Sequence, residues 1–323
     1  MSEVQGEGLV GLTEIEGAAR RLAGVAVGTP LLASDAVSEA TGATVRLKCE
    51  NLQRAGSFKI RGAYNFVSQL SDQQVENGII TYSSGNHAQA VALTGRMRGI
   101  RAVVVMPTNA PTVKREGVER LGGEIVFEGT TSLERRPRAE AIAEEEGLVI
   151  VPPFDHRHII AGQGTVGLEI AREWADVDLV LAPIGGGGLA SGVAAAVKRL
   201  LPHVRMIGVE PVGAAGMRAA LDYGAPKLLP DIETIADGLC PIIVGELTYE
   251  HAVELMDDVV TVSDDAIREA TGLLVRRQKL VVEWSGAATT AALMSEAVDA
   301  KGAQVAVIIS GGNLDSAALS ELA

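Results

Sequence analysis

Aromatic residues, cysteines and basic charge are scarce in this chain of 323 residues. Phe, Trp and Tyr together supply 3% of the residues, and the formal net charge is −13 at pH 7. Nucleic acids and anionic membrane surfaces bind basic patches, so the charge argues against both as partners. Cys49 and Cys240 are the only two cysteines, which is too few for a disulfide framework.

Long hydrophobic runs are also missing. No stretch approaches the roughly 18 apolar residues that a membrane-spanning helix needs. Residues 1–11 lack the basic start and apolar block of a secretory signal. We therefore expect a cytoplasmic protein with no membrane partner. The length and the 47% hydrophobic content allow a large core, in two domains or one large domain.

Glycine is abundant, with 37 residues, and short Val/Ile/Leu runs alternate with helical patterns. Continuous apolar runs are typical of strands buried on both faces of a parallel sheet. The alternation predicts a doubly wound α/β fold. The predicted strands cover residues 45–49, 78–82, 101–106, 124–127, 148–151, 178–182, 205–209, 259–262 and 304–309. The predicted helices cover residues 59–70, 86–98, 112–121, 132–146, 159–174, 189–201, 264–279 and 286–298.

Three polar or glycine-rich turns each follow a predicted strand. Residues 83–87 read Ser-Ser-Gly-Asn-His, and residues 310–313 read Ser-Gly-Gly-Asn. The third turn, here called the glycine loop, consists of Gly185, Gly186, Gly187 and Gly188. Ligands of open α/β sheets bind beyond the carboxyl ends of the strands, so the three turns are predicted to border one site. Such turns offer backbone N–H groups to anions.

A single lysine is placed for amine chemistry, in the hexapeptide Ser57-Phe58-Lys59-Ile60-Arg61-Gly62. Lys59 begins a predicted helix, where the helix dipole gives a cation no stabilisation. The aromatic neighbour Phe58 helps to desolvate the amine, which favours its neutral, nucleophilic form. One reactive amine with several anion-binding turns is what a phosphorylated aldehyde cofactor requires.

The glycine loop has a competing interpretation. Gly185-x-Gly187-x-x-Ala190 fits a dinucleotide fingerprint, and Glu210 ends the next strand, where a ribose-binding acid is expected. That pattern taken alone favours an NAD-dependent oxidoreductase. The fingerprint normally opens its domain, however, and this loop lies past mid-chain. An NAD enzyme also leaves Lys59 and residues 83–87 unexplained, so we interpret the loop as a phosphate site.

The hexapeptide and the three turns together resemble the fold type II pyridoxal-phosphate enzymes, in the branch of threonine/serine dehydratases and serine racemases. The resemblance runs from about Thr29 to about Asp315. It implies a tryptophan synthase β-like fold with two open doubly wound sheets and the active site between two domains. A smaller mobile domain of residues 75–150 would be inserted into a large cofactor-binding domain of residues 1–74 and 151–323.

The resemblance implies roles around the cofactor, pyridoxal 5'-phosphate. Lys59 forms the Schiff base, Phe58 lies against the ring, Asn86 bonds the phenolic oxygen and the glycine loop binds the phosphate. Ser310 faces the pyridine nitrogen, where a hydroxyl, unlike a carboxylate, leaves the ring less electron-withdrawing. That suits loss of a β-substituent better than transamination.

Two further cofactor-pocket segments match the family. Gly238 lies in the first, Ile-Ala-Asp-Gly at residues 235–238. Glu283 lies in the second, which departs from the family pattern at Trp284. The residues expected on the substrate side are Ser83, Ser84, Gly85, Asn86, His87 and Arg135.

The family chemistry implied is α,β-elimination, which converts L-threonine or L-serine into a 2-oxo acid and ammonia. Residues 151–155 and 245–250 look most like catabolic threonine dehydratases. Serine at position 84 is instead typical of serine racemases and 3-hydroxyaspartate dehydratases. This resemblance implies that Ser84 is catalytic and faces the substrate Cα from the side opposite Lys59. Arg135 or Arg136 could pair a second substrate carboxylate. A hydroxy amino acid lyase is thus predicted first, a racemase second, and an oxidoreductase a distant third.

Relatives with a divalent cation site use a glutamate, a carbonyl and an aspartate. Glu210 and Ala214 match this set, but Gly216 replaces the aspartate, so no metal is predicted. The chain ends soon after residue 313, so no C-terminal sensing domain is expected. We expect a homodimer or homotetramer that binds a small hydroxy amino acid.

Overall fold

The computed structural model describes residues 8–83, 85–110, 112–130 and 132–321. These residues form two sheets flanked by helices. The strands are β1 (Leu31–Ala33), β2 (Thr44–Cys49), β3 (Ile79–Tyr82), β4 (Ala102–Met106), β5 (Glu124–Phe127), β6 (Val149–Ile150), β7 (Leu179–Pro183), β8 (Arg205–Pro211), β9 (Asp258–Val262) and β10 (Gln304–Ile309). The helices are α1 (Leu12–Arg21), α2 (Asp35–Thr41), α3 (Lys59–Val67), α4 (Asn86–Arg98), α5 (Thr112–Arg120), α6 (Ser132–Glu146), α7 (Arg157–Glu173), α8 (Gly188–Leu200), α9 (Gly216–Tyr223), α10 (Glu246–Leu255), α11 (Asp264–Arg276), α12 (Trp284–Met294) and α13 (Ser316–Glu321).

The larger sheet has six strands in the order β1-β2-β10-β7-β8-β9. Its neighbouring strands are parallel except for the antiparallel pair β1 and β2. The smaller sheet is parallel and has the order β5-β4-β3-β6. Strands β4, β7 and β10 are buried on both faces, which explains their continuous apolar runs.

The two mostly parallel sheets confirm the predicted fold class. All strands of the smaller sheet lie between Ile79 and Ile150, and the larger sheet is built from the chain on both sides. The division into a domain of residues 75–150 inserted between 1–74 and 151–323 remains a prediction.

Short elements and helix ends differ most from the sequence prediction. Strand β1 and helices α1, α2, α9, α10 and α13 were not predicted. With three residues, β1 is too short to show an alternating pattern. Helix α3 ends at Val67 and not at residue 70, and α11 ends at Arg276 and not at residue 279. Lys279 has a left-handed φ of 61°, which is incompatible with a continuing helix.

Helices α7 and α8 pack closely because glycines face each other across the contact. A Cβ on Gly192 of α8 would lie 2.3 Å from the Ile160 carbonyl oxygen and 2.5 Å from the Gly164 nitrogen. A Cβ on Gly164 would lie 2.9 Å from the Gly192 oxygen. The backbones therefore meet directly at this crossing. Because α8 begins at the glycine loop, this contact fixes the position of that loop.

We expect Gly192→Ala to lower the free energy of unfolding by about 1–3 kcal/mol, because the new methyl would overlap backbone atoms. Urea unfolding of the purified protein measures this. Gly17→Ala in α1 is the matched control, since its Cβ would meet the flexible guanidinium groups of Arg21 at 3.5 Å and Arg20 at 3.8 Å. Gly17→Ala should unfold at the same urea concentration as wild type or at a higher one, because alanine favours the helix more than glycine does. A Gly192→Ala protein as stable as wild type would contradict the direct backbone contact.

Candidate active site

A cleft of about 800 Å³ lies beyond the carboxyl ends of strands from both sheets. It is bordered by the segment before α3, the start of α4, the glycine loop and the turn after β10. Every described residue that the sequence predicted for the site lines this cleft: Phe58, Lys59, Ser83, Gly85, Asn86, His87, Arg135, Gly185, Gly186, Gly187, Gly188, Gly238, Glu283 and Ser310. Ser84, the second predicted catalytic residue, lies outside the described residues.

Lys59 is the first residue of α3, and its half-buried side chain points into the cleft. Its Nζ donates a hydrogen bond of 2.8 Å to the Pro153 carbonyl and lies 5.3 Å from the centre of the Phe58 ring. Burial lowers the pKa of the Lys59 ammonium to about 8. About a tenth of the amine is therefore neutral and nucleophilic at pH 7, far more than for an ordinary lysine.

Two backbone contacts hold the Lys59 segment against the turn after β10. The Phe58 N–H donates to the Ser310 carbonyl at 3.2 Å, and Ser57 forms a bridge with Gly311. The Ser310 side chain, which is 3% exposed, lies at the carboxyl end of β10 and lines the cleft. The sheet thus places a buried hydroxyl and the amine in the same cavity.

The glycine loop lies directly against other parts of the protein, which leaves no room for side chains. Gly187 has a φ of +95°, and a Cβ there would lie 2.6 Å from the Thr248 Cβ. A Cβ on Gly186 would lie 2.2 Å from ring atoms of Phe154. Helix α8 starts at Gly188, the last residue of the loop. The N–H groups of its first turn have no partner within the helix and face the cleft. This arrangement can bind an anion such as a phosphate.

Half-buried Asn86 and buried Glu283 form a hydrogen-bonded pair that lines the cleft. Asn86 Nδ2 donates to Glu283 Oε1 at 2.6 Å, and Asn313 Nδ2 donates to Asn86 Oδ1 at 2.8 Å. Burial raises the pKa of the Glu283 carboxyl to about 7, with a further contribution from the charge of Asp237. The Asn86 amide is therefore held in one orientation by partners on both sides.

His87 is buried beside Lys59 and is held neutral. Its Nε2 lies 3.1 Å from the Val151 carbonyl oxygen, so that nitrogen carries the proton. Burial, and then the nearby charge of Lys59, lowers the pKa of His87 to about 3. A neutral imidazole here can form hydrogen bonds without adding a second positive charge beside Lys59.

The two candidate arginines differ in their surroundings. Arg135 is 9% exposed, and its Nη1 donates to the Thr130 carbonyl at 3.3 Å. Its buried Nε has no hydrogen-bond partner among the described residues. Arg136 is exposed and forms an ion pair of 2.8 Å with Glu140. Arg135 therefore has unused hydrogen-bonding capacity at the cleft, whereas the described contacts of Arg136 include a carboxylate.

Several cleft residues were missed by the sequence analysis. Lys114 of α5 forms an ion pair with Asp237, joining the two sides of the cleft, and Phe154 packs on the glycine loop. Asp237 lies inside the predicted segment 235–238, whereas nothing in the sequence singled out Lys114. Its partner is 123 positions away, so only the fold brings the pair together.

Glu210 has backbone partners in this structure. Its carboxylate accepts hydrogen bonds from the N–H groups of Met217 at 2.7 Å and Arg218 at 2.8 Å, at the start of α9. Burial raises the pKa of Glu210 to about 7. Over the described ranges, no group of three or more His, Cys, Asp or Glu side chains is placed to bind a metal ion.

None of the helices in the described part of the chain is both long and apolar enough to span a membrane.

Comparisons with known proteins identify the family. Residues 23–311 match the family model of the pyridoxal-phosphate dependent enzymes. The chain belongs to this family. It is 42% identical to the L-threonine ammonia-lyase of Thermotoga maritima, over 95% of this chain and 76% of that protein. It is 41% identical to a serine racemase of Oryza sativa subsp. indica, over 91% of this chain and 88% of that protein. The structure of maize serine racemase superposes with a TM-score of 0.94 at 38% identity and covers 97% of both chains.

The cleft fits the cofactor of this family. An aldehyde requires an amine, which Lys59 supplies with a pKa of about 8. A phosphate requires free backbone N–H groups, which the glycine loop and the first turn of α8 provide at the cleft. The family match confirms the predicted family membership and the predicted cofactor, pyridoxal phosphate.

Buried neutral His87 predicts that acid destabilises the fold. In the unfolded chain His87 takes up a proton below about pH 6.5, whereas the folded protein resists until about pH 3. Stability is therefore lost as pH falls through this window. Between pH 7 and pH 5, wild type should lose about 2 kcal/mol more unfolding free energy than His87→Gln. Urea unfolding at both pH values measures this, with exposed His203→Gln as control. Equal losses in wild type and His87→Gln would contradict the prediction.

Proposed function

We propose that this protein is a pyridoxal-phosphate-dependent ammonia-lyase that converts L-threonine and L-serine into a 2-oxo acid and ammonia. The proposal rests on the position and the lowered pKa of Lys59. Its amine faces the cleft, which the glycine loop and the start of α4 also line. The name of the Thermotoga maritima relative supports a lyase acting on L-threonine.

The residues that would hold the cofactor come from both sides of the cleft. Lys59 Nζ would bind its aldehyde, the glycine loop its phosphate and Asn86 its phenolic oxygen. Ser310 would hydrogen-bond the ring nitrogen, and Phe58, which packs beside Lys59, would lie against the ring. When bound, pyridoxal phosphate supplies an electron sink for the bonds at the substrate Cα.

The polypeptide itself would position the substrate and move its proton. The turn before α4, with Ser83 and Gly85, offers N–H and hydroxyl groups to the substrate carboxylate, as helix N-termini do for anions. Gly238 and Glu283 would complete the wall of the pocket. Lys59 Nζ, once free, would accept the proton from the substrate Cα. Its lowered pKa suits it to act as a base near neutral pH.

Lys59→Ala should reduce the release of 2-oxo acid and ammonia from L-threonine and L-serine by about a thousandfold or more, because the base and cofactor anchor are lost. When both proteins are free of cofactor, the urea unfolding midpoint of Lys59→Ala should be no lower than that of wild type, because the change removes a buried ammonium that has no counter-charge. Lys301→Ala, on the exposed surface, is the control and should keep full activity. Wild-type protein that releases neither product from either amino acid would overturn the proposed function.

A second substrate class is favoured by the unused bonding capacity of Arg135. A substrate with a second carboxylate, such as 3-hydroxyaspartate, would satisfy the buried Nε, and a guanidinium binds carboxylates in a bidentate fork. Arg135→Met should therefore abolish dehydration of 3-hydroxyaspartate and leave that of L-threonine within about threefold of wild type. Arg136→Met, which removes the ion pair with Glu140 on α6, is the matched control. Equal loss on both substrates in Arg135→Met would contradict a role in dicarboxylate recognition.

Serine racemization is the other candidate, supported by the racemases among the relatives. Racemization needs a proton donor on each face of the Cα, and we propose Ser84 as the donor opposite Lys59. Ser84→Ala should then abolish the formation of D-serine while L-threonine dehydration survives, which chiral chromatography and 2-oxo acid assays measure. Equal loss of both activities would mean that Ser84 serves binding or elimination.

We further infer that the protein acts in the cytoplasm as a homodimer or homotetramer. An exposed apolar face supports the assembly: Val27, Leu52 and Val281 are 41%, 51% and 49% exposed. Hydrogen bonds from Gln53 to the Val27 carbonyl and from Asn51 to the Val281 carbonyl hold these residues near one another.

A further inference from the structure

The three residues Pro153, Phe154 and Asp155 link the reactive lysine to the glycine loop. The Pro153 carbonyl accepts the hydrogen bond of Lys59 Nζ, and the Phe154 ring occupies the space next to Gly186. Asp155 is the only one of the three with an ionisable side chain, and the proposed reaction gives it no role. Its surroundings assign it one.

The Asp155 carboxylate occupies the N-terminus of α10. Oδ2 accepts a hydrogen bond of 3.1 Å from the Glu246 N–H, and Oδ1 accepts one of 3.2 Å from the Thr248 N–H. These N–H groups belong to the first turn of the helix, where no carbonyl of the same helix is available to them. Burial raises the pKa of the Asp155 carboxyl, and the hydrogen bonds from these N–H groups oppose that rise, as the helix dipole does. Asp155 thus fixes the start of a helix that is 91 positions away in the chain.

The first turn of α10 in turn holds the glycine loop. Thr248 Oγ1 donates a hydrogen bond of 2.7 Å to the Gly186 carbonyl and accepts one of 3.0 Å from the Gly245 N–H. The Thr248 Cβ lies 2.6 Å from the position that a Cβ on Gly187 would take. Thr248 is fully buried, so its contacts with the loop are specific and shielded from water.

Phe154 borders the loop from a different side. A Cβ on Gly186 would lie 2.2 Å from the Phe154 ring, and a Cβ on Gly188 would lie 3.1 Å from the Phe154 Cα. Phe154 and Thr248 therefore pack on the same four-residue loop, and Asp155 is covalently next to one and hydrogen-bonded to the other. The Asp155 carboxylate therefore fixes the positions of Phe154 and Thr248 relative to each other.

We propose that Asp155 is a positioning residue for the cofactor phosphate. It locks α10 and Phe154 around the glycine loop, so that the loop keeps the shape that receives the anion. Because Asp155 occupies the N-terminus of α10, that helix end is closed to an anion. The N-terminus of α8 is then the one that receives the phosphate. The inference rests on the proposed placement of the phosphate at the glycine loop.

The test compares the binding of pyridoxal phosphate and of pyridoxal, which lacks the phosphate, to the cofactor-free protein by absorbance titration. Asp155→Ala should weaken pyridoxal phosphate binding about tenfold and leave pyridoxal binding unchanged. Asp155→Asn retains one acceptor oxygen and should give an intermediate loss. Asp257→Ala is the matched control, because Asp257 accepts the Met206 N–H at 2.6 Å near the start of β8, at the opposite end of the strand from the site. It should bind both ligands as wild type does.

Each outcome of this test is informative. Unchanged binding of pyridoxal phosphate in Asp155→Ala and Asp155→Asn, or equal weakening of both ligands, would overturn the positioning role while the proposed function stands. Wild-type protein that binds pyridoxal as tightly as pyridoxal phosphate would instead overturn the placement of the phosphate. If Asp155→Ala does not fold, Asp155→Asn tests the proposal. Its affinity for pyridoxal phosphate divided by its affinity for pyridoxal should be lower than in wild type, because only an effect at the phosphate lowers this ratio. An unchanged ratio would overturn the positioning role.

Discussion

The burial of the Lys59 ammonium without a carboxylate partner is the constraint on which the site depends. Among the described residues Lys59 forms no ion pair, and Nζ bonds the neutral Pro153 carbonyl. A buried cation without a counter-charge favours its neutral form, which places its pKa at about 8. Burial and the nearby charge of Lys59 likewise keep His87 neutral beside it. The cleft is thus prepared for a ligand that brings both an aldehyde and negative charge.

Direct contact of backbone with neighbouring groups is the second requirement. Gly192 lets α7 and α8 meet, and Gly186 and Gly187 let Phe154 and Thr248 approach the loop that begins α8. A methyl at any of these positions would overlap neighbouring protein atoms and displace the helix or the loop. The abundance of glycine in the chain therefore has two functions, the packing of helices and the exposure of N–H groups to an anion.

The sequence predicted the fold class and the parts of the site that lie in continuous motifs. Lys59, the glycine loop and Ser310 line one cleft, as their sequence context predicted, because each follows a strand or begins a helix. These local patterns determine where the backbone leads. The ion pair of Lys114 with Asp237 and the contact of Asp155 with α10 were not found. Both join residues about ninety or more positions apart, so no local pattern could predict them. Helix α10 was missed as well, since an aspartate from elsewhere in the chain stabilises its start.

Reductive labelling tests the central claim most directly. Borohydride treatment of the protein loaded with pyridoxal phosphate links the cofactor permanently to the amine that holds it, and peptide mapping then identifies the residue. The account predicts a single label on Lys59. The cleft contains a second lysine, Lys114, whose ammonium is paired with Asp237. A label on Lys114, or on any lysine other than Lys59, would contradict the account.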